Sequence, residues 1–334
     1  MNFKKTRDTF IIAEIGAKYS SIKNIIKIIK SAKKIGADAV KFQTYRAKNL
    51  SDQKTKLPFK KKITQYDFFK KHQLSHSDHL KIIKTCKKIG IPWFSTPANF
   101  SDVDYLDKLN PFAFKIGSDD LTNIPLIEHI AKKKRKIFIS TGMCKMKEIE
   151  KAIKHIEKFK NYNIVIFHCT SDYPTELRDA NLNLIKTYLK KFKYDIGLSD
   201  HTNNDLTSII ATTLGAKYIE KHLMPSSKIQ WQDKESSLNE NDFESMVFKI
   251  RNFHKIFGKR KKVIFNCEKK WRKIAKKSIY LSKNIKSGKK IKFSDLVIRR
   301  PAGKSEPIDI YEICKKRAAK NLIKDQNIHF GNVR

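Results

Sequence analysis

Short apolar runs of the kind that form buried strands recur along this chain, and helical patterns separate most of them. Eight lie near residues 9–15, 38–43, 91–96, 112–117, 136–141, 163–169, 194–199 and 216–221, and a further helical pattern covers about 240–256. Alternation of this kind over about 250 residues predicts a (β/α)8 barrel. A doubly wound open sheet is the alternative arrangement. A dinucleotide site in such a sheet needs a Gly-x-Gly-x-x-Gly turn after the first strand, and Glu14-Ile15-Gly16-Ala17 is not one.

The punctuation between runs supports the barrel. Lys33-Lys34-Ile35-Gly36 precedes Ala39-Val40-Lys41-Phe42, Lys87-Lys88-Ile89-Gly90 precedes Trp93-Phe94-Ser95, and Leu214-Gly215 precedes Tyr218-Ile219-Glu220. Each glycine suits the left-handed position that ends a helix. Ile22, Ile25, Ile26, Ile29 and Ala32 recur at helical spacing, and Ser75 with Asp78 forms a capping box. The barrel is expected over 1–256, a basic linker over 257–277 and a small module over 278–334. The module echoes itself: Asn284-Ile285, Ile291, Phe293 and Leu296 return as Asn321-Leu322, Ile328, Phe330 and Val333. Fewer than about 60 residues bury a modest core, so this module is expected to lean on a larger surface.

With 40% apolar residues among 334, the chain can bury a large core. No apolar stretch approaches the roughly 20 residues of a membrane helix, and Glu14 interrupts the first apolar run before it resembles a signal peptide. Cys86, Cys144, Cys169, Cys267 and Cys314 are scattered without a Cys-x-x-Cys pair, which argues for a reduced, cytoplasmic setting. Cys169, inside an apolar run, reads as a small buried hydrophobe. A net charge of +39 raises a second class of function, a basic protein that binds nucleic acid or another polyanion. Yet the lysines are spread over nearly every segment, and aromatics do not alternate with them as a stacking platform requires. Neither a specific nucleic-acid partner nor a membrane is expected.

Barrel chemistry sits at the C-terminal ends of the strands. Here those ends read Ala13-Glu14-Ile15-Gly16, Lys41-Phe42-Gln43-Thr44, Ser95-Thr96-Pro97 and Lys115-Ile116-Gly117-Ser118-Asp119-Asp120. They continue as Ser140-Thr141-Gly142-Met143, His168-Cys169-Thr170-Ser171, Ser199-Asp200-His201-Thr202 and Glu220-Lys221-His222. A strand-end lysine alone reads as a solvated side chain, and a lone histidine as a core group. All eight ends carrying hydroxyl, cationic, carboxylate or imidazole groups to one rim changes that reading. Lys41 and Lys115 among hydroxyls would make a phosphate cradle, and His201 with His222 could share a divalent metal that keeps open positions.

These motifs, in this order, resemble the N-acetylneuraminate synthase family, whose members also make legionaminic and pseudaminic acids. The resemblance spans most of the chain, adding Leu121-Thr122-Asn123 and Tyr173-Pro174, and Arg299-Arg300-Pro301 with Gly303 is similar to the family's C-terminal antifreeze-like (SAF) domain. It implies condensation of phosphoenolpyruvate with an N-acetylated amino-hexose to a nine-carbon 2-keto acid, with release of phosphate. It further implies catalytic roles for Glu14 and Asp233, and phosphoenolpyruvate contacts from Lys41, Gln43, Thr96, Lys115, Ser118, Ser140 and Ser199. Sugar contacts are implied for Asp120, Tyr173 and Arg300, the arginine coming from the partner in a domain-swapped homodimer. His201 and His222 match ligands of manganese or magnesium. Another phosphoenolpyruvate-dependent aldol synthase is the nearest enzymatic alternative. Two segments depart from the family pattern, Lys18-Tyr19-Ser20-Ser21 and Trp231-Gln232-Asp233-Lys234. Both flank the implied sugar position, so the acceptor is where a difference from N-acetylmannosamine is expected.

Overall fold

A computed structural model describes residues 9–17, 20–57, 60–226, 231, 233–257 and 261–334. It separates into two compact units, Met1–Phe257 and Gly258–Arg334. Of the two departing segments, Lys18, Tyr19 and Gln232 lie outside the described residues.

The first unit contains strands β1 (Phe10–Gly16), β2 (Ala39–Thr44), β3 (Trp93–Pro97), β4 (Ala113–Ile116), β5 (Lys136–Ser140), β6 (Ile164–Cys169), β7 (Asp195–Asp200) and β8 (Tyr218–Met224). Successive strands pair in parallel, and β8 returns to pair with β1, so the sheet closes. The open-sheet alternative is thereby excluded. Helices α1 (Ile22–Lys34), α2 (His76–Ile89), α3 (Phe100–Lys108), α4 (Ile124–Lys132), α5 (Met146–Lys158), α6 (Asn183–Lys191), α7 (Leu206–Thr213) and α8 (Glu240–Phe257) follow the strands in turn. A short strand, Ser237–Asn239, adds to β8.

Local chemistry sets the helix ends. Ser75 and Asp78 form the expected capping box on α2, and Gly90 ends that helix with φ of 66°. Ser21, in one of the departing segments, caps α1 by accepting from the Asn24 backbone N–H. The buried face of α1 is Ile25, Ile28, Ile29 and Ala32. Ile28 is buried while Ile22 and Ile26 are half-buried, because the core-facing stripe is centred on Ile25 and Ala32 and leaves those two at its edge.

Inside the barrel the inward residues sort into two layers. Ile12, Phe94, Phe138, Val165 and Phe167 pack together below, with Phe10, Phe112 and Tyr218 against them. Phe138 meets Phe94 at 4.9 Å and Phe167 at 5.6 Å, both edge to face. Gly197 makes room for this plug: a Cβ there would lie 2.8 Å from both Phe167 Cε1 and the Tyr218 carbonyl oxygen. Above the aromatics the inward positions turn polar.

Two features of the first unit bear on the barrel mouth. Between β2 and α2 the chain makes an excursion, with helices Ala47–Leu50 and Gln65–His72 flanking a small antiparallel pairing of Lys56–Leu57 with Lys60–Thr64. The strand–helix alternation does not foretell this excursion. Behind it, His79 of α2 is buried. Its Nδ1 donates to the Ser75 carbonyl at 3.0 Å, and its Nε2 lies 2.9 Å from Thr44 Oγ1, which is 2.7 Å from Ser95 Oγ. This chain ties the ends of β2 and β3 to the helix behind them.

The second unit has its own core of Ile279, Leu281, Ile285, Ile291, Ile310, Ile313, Ala318, Leu322, Ile328 and Val333. The internal echo is structural. Ile285 and Leu322 exchange both backbone hydrogen bonds at 2.9 Å, and matching 3-10 turns cover Phe293–Asp295 and Phe330–Asn332. The stretch 257–277, expected as a linker, carries the helix Asn266–Ala275, none of whose residues is buried. Its basic side is tied down by Glu306, which accepts from Arg272 at 2.9 Å and Lys276 at 2.8 Å. Among the described residues no helix is long and apolar enough to cross a membrane.

Candidate active site

A cavity of about 380 Å3 opens at the C-terminal ends of the strands. Lys41, Gln43, Thr96, Lys115, Ser118, Asp120, Ser140, Tyr173, Ser199, His201 and His222 all line it. Glu14 lies buried beside the lining, and Asp233 stands at its edge next to His222. Arg300 is exposed on the second unit.

The polar layer above the aromatic plug consists of two lysines and two carboxylates. Lys115 Nζ reaches both oxygens of Glu220 at 2.7 and 2.8 Å. Lys41 Nζ lies 2.7 Å from Glu14 Oε2 and 3.3 Å from Glu220 Oε1, and Ser199 Oγ donates to the latter oxygen at 3.1 Å. All four charged groups are buried, so their interactions act in a medium that screens poorly. Burial raises the Glu14 carboxyl to about 7, with Glu220 adding to the rise and Lys41 opposing it. Burial pushes Glu220 upward too, but Lys115 and Lys41 outweigh it and hold this carboxyl below the ordinary range. The lysines also differ: burial lowers both, yet Glu14 and Glu220 carry Lys41 above its usual value, while Lys115 stays below. Glu14 is thus the carboxyl able to change its proton near neutrality.

Among the described residues Ser140 Oγ is buried without a hydrogen-bond partner, and Glu14 Oε1 likewise. An unsatisfied hydroxyl facing the cavity beside two cations, as Ser140 is, is what an anionic ligand would complete.

Sequence reasoning missed Glu220 as a member of the site, having read Glu220-Lys221-His222 as one motif. The period of two separates them. Glu220 and His222 point inward, whereas Lys221 is wholly buried on the outer side, 3.2 Å from Asp200 Oδ2. Asp200 also accepts from Thr202 Oγ1, Thr207 Oγ1 and Ser208 Oγ at 2.8, 2.7 and 2.6 Å, fixing the loop that carries His201. The same alternation places Cys169 inward. Its thiol is buried as expected, but it lines the cavity and lies 3.8 Å from His201 Nδ1.

His201 and His222 face each other with ring centroids 5.6 Å apart, and Tyr173 packs on His201 at 4.2 Å. His201 Nδ1 donates to the Thr170 carbonyl at 2.8 Å, which leaves Nε2 as the lone-pair nitrogen. Burial holds His222 well below its ordinary pKa, with His201 and Lys41 adding to the effect. Burial pulls His201 down as well, but Cys169 and the Thr170 carbonyl lift it above its ordinary value. Asp233 Oδ2 stands 3.6 Å from His222 Nδ1. A histidine anchored through its other nitrogen, beside a second neutral imidazole, fits a divalent ion. Among the described residues no group of three or more His, Cys, Asp or Glu could hold a metal, so two imidazoles would leave coordination positions for water or substrate.

Comparison with known proteins agrees with this geometry. The chain is 35% identical to the N,N'-diacetyllegionaminic acid synthase of Campylobacter jejuni over 96% of this chain and 99% of that protein. It is 34% identical to the pseudaminic acid synthase of the same organism over 96% of this chain and 95% of that one. Among solved structures, the N-acetylneuraminic acid synthetase of Leptospira borgpetersenii superposes with a TM-score of 0.71 at 28% identity, covering 79% of this chain and 90% of that one. Residues 28–262, which hold the barrel from the middle of α1 onward, match the NeuB family, and the chain belongs to it.

Proposed function

We propose that this enzyme condenses phosphoenolpyruvate with an N-acetylated amino-hexose to give a nine-carbon sialic-acid-type 2-keto acid and inorganic phosphate. The observation that carries this reading is the buried floor of Lys41 and Lys115 with the unpartnered Ser140 hydroxyl, set beside two imidazoles. That floor suits a small ligand with two anionic ends; Gln43, Thr96 and Ser118 supply further donors around it, and Ser199 lines it with a hydroxyl that would turn from Glu220 to the ligand. His201 and His222 would hold the divalent ion, manganese or magnesium, which when bound supplies Lewis acidity to an aldehyde oxygen.

The protein's own groups do the remaining work. Lysine and hydroxyl donors fix the carboxylate and phosphate of phosphoenolpyruvate, so that carbon 3 faces the aldehyde. Its π electrons form the new C–C bond as the aldehyde π pair passes to the aldehyde oxygen, which takes a proton from solvent to become a hydroxyl, and carbon 2 is left electron-deficient. The Glu14 carboxylate stabilises that charge and takes the proton of the water that adds to carbon 2. The resulting tetrahedral centre then expels phosphate as its C–O bond breaks, leaving the keto group. Asp120 and Tyr173, which line the cavity, are assigned to the sugar, and Asp233, beside His222, to assistance at the reacting centre. Arg300 is assigned to the sugar in a partner subunit's barrel, within a homodimer whose C-terminal antifreeze-like domains are exchanged. The sequence resemblance supports this last assignment.

A phosphate-release assay with phosphoenolpyruvate, manganese and amino-hexose aldehydes tests the reading. Release that depends on both substrates is expected; no release with any amino sugar would overturn it.

A further inference from the structure

His201 and His222 come from neighbouring strands but are held in different ways. His222 lies within the ladder, where it pairs with Glu14 of β1 and with Ser237. The ladder between β7 and β8 ends with Asp200 opposite Lys221, so His201 falls one residue beyond it. The bonds that His201 makes itself lead away from β8, to the loop after β6. Its Nδ1 donates to the Thr170 carbonyl at 2.8 Å, and its own carbonyl accepts from the Thr175 N–H at 3.0 Å.

Among the described residues, the hydrogen bonds that tie this turn to β8 run through one side chain. Lys221, next to His222 but on the outer side of the sheet, donates from Nζ to the Thr202 carbonyl and, at 3.2 Å, to Thr202 Oγ1. The same ammonium lies 3.2 Å from Asp200 Oδ2, so it grips the residues on both sides of His201. Asp200 completes the clamp by accepting from the Thr202 N–H at 3.0 Å and its hydroxyl at 2.8 Å. Thr202 is thereby held at its N–H, its carbonyl and its side chain. Both charged groups are buried, Lys221 wholly. Burying an ion pair costs much lost hydration, and apolar residues of similar size often fill such a space at least as stably. Stability alone does not account for the pair.

We propose that Lys221 and Asp200 are positioning residues, whose buried ion pair holds His201 opposite His222 so that one divalent ion meets both imidazoles. This rests on the two-histidine metal site stated above. With two imidazoles as ligands, no further protein group corrects a ring that drifts, so affinity depends on the clamp. Loss of an outer partner of this kind weakens metal binding by about 10- to 100-fold.

The test titrates manganese into the metal-stripped protein and reads the unbound ion from its paramagnetic resonance signal. Wild type is compared with Lys221→Met, Thr202→Val, Thr202→Ser and His79→Gln. Methionine keeps the length of the Lys221 side chain, and Asp200 keeps its Thr202, Thr207 and Ser208 donors, so the fold should survive. Manganese affinity of Lys221→Met should fall by about 10- to 100-fold. Thr202→Val should weaken binding in the same direction, and Thr202→Ser, which keeps the hydroxyl, should bind as wild type does. His79→Gln loosens buried bonds at β2 and β3 instead and should leave the affinity unchanged. Wild-type affinity in folded Lys221→Met overturns the clamp and leaves the metal site standing. An equal loss in His79→Gln also overturns it, because lowered stability would then suffice. Should Lys221→Met not fold, Thr202→Val decides; failure of both to fold makes the pair a structural element and overturns the proposal. No uptake by wild type removes the metal site, and the clamp falls with it.

Discussion

His79 should make this protein's stability fall in acid, and its replacement should reverse the order of stability between wild type and variant. Its ring is buried, donates through Nδ1 to Ser75 and accepts at Nε2 from Thr44, so the folded state is built around neutral imidazole. Burial is the main cause that lowers its pKa from 6.5 to about 4, with the nearby Arg46 and His76 adding to it. A group whose folded value is depressed binds its proton first in the unfolded chain. Stability is therefore intact above pH 6.5 and drains as pH falls toward 4, by about 3 kcal/mol at pH 4. His79→Gln keeps an acceptor for Thr44 but loses the Ser75 bond, at a cost of about 1–2 kcal/mol near pH 7. The wild type should then be the more stable protein at pH 7 and the less stable at pH 4, with the curves crossing between. Urea unfolding of both proteins at pH 7, 5.5 and 4 measures the gap. Asp102, raised by burial to about 6, titrates in the opposite sense but is common to both proteins and cancels in the difference. A gap constant to within roughly 0.5 kcal/mol across that range would refute the reasoning.

Glu14→Gln should abolish the rise of kcat/KM through about pH 7 that the raised Glu14 carboxyl imposes on wild type, a change read from the pH–rate profile of phosphate release. Gly197→Ala drives a methyl into Phe167 and the Tyr218 carbonyl and should cost about 1–3 kcal/mol in denaturant unfolding, with no relief from shrinking Phe167 alone. If Arg300 serves the partner's site, inactive His201→Ala and Arg300→Ala proteins, mixed and allowed to exchange, should recover up to about a quarter of wild-type activity, because half the dimers are mixed and each holds one intact site. A mixture no more active than its parts, despite exchange, would place Arg300 elsewhere.

The barrel was legible because its strands are short, apolar and separated by helices with clear caps, signals that burial on both faces of a parallel sheet enforces. The strand-end lysines, serines and histidines converge for the same reason: a closed parallel sheet delivers every C-terminal end to one rim. Glu220 was not legible. Nothing local marks a buried carboxylate whose partners, Lys41 and Lys115, come from other strands, and only the alternation along β8 separates it from outward Lys221. The excursion that supplies Leu50 and Phe69 was hidden because its helices are short and its apolar residues face a cavity, not a core. Lysine density made 257–277 read as a tether, although Trp271 and Ile274 recur on one side of a helix there.

The reciprocal hydrogen bonds between Ile285 and Leu322 carry a consequence for how the C-terminal unit comes to exist at all. Each half of the echo completes the other, as two copies of a short peptide would around a twofold axis. Neither half closes a core by itself, since Ile285 and Ile291 pack with Leu322, Ile328 and Val333. The unit therefore has nothing stable until both halves are present: Ala318 bonds to Lys289, and Arg317 exchanges hydrogen bonds with Arg334. Removing the segment that carries Ile328 and Val333 should unravel the whole unit, not merely fray it, while the barrel, whose own core lies within Met1–Phe257, would keep its fold.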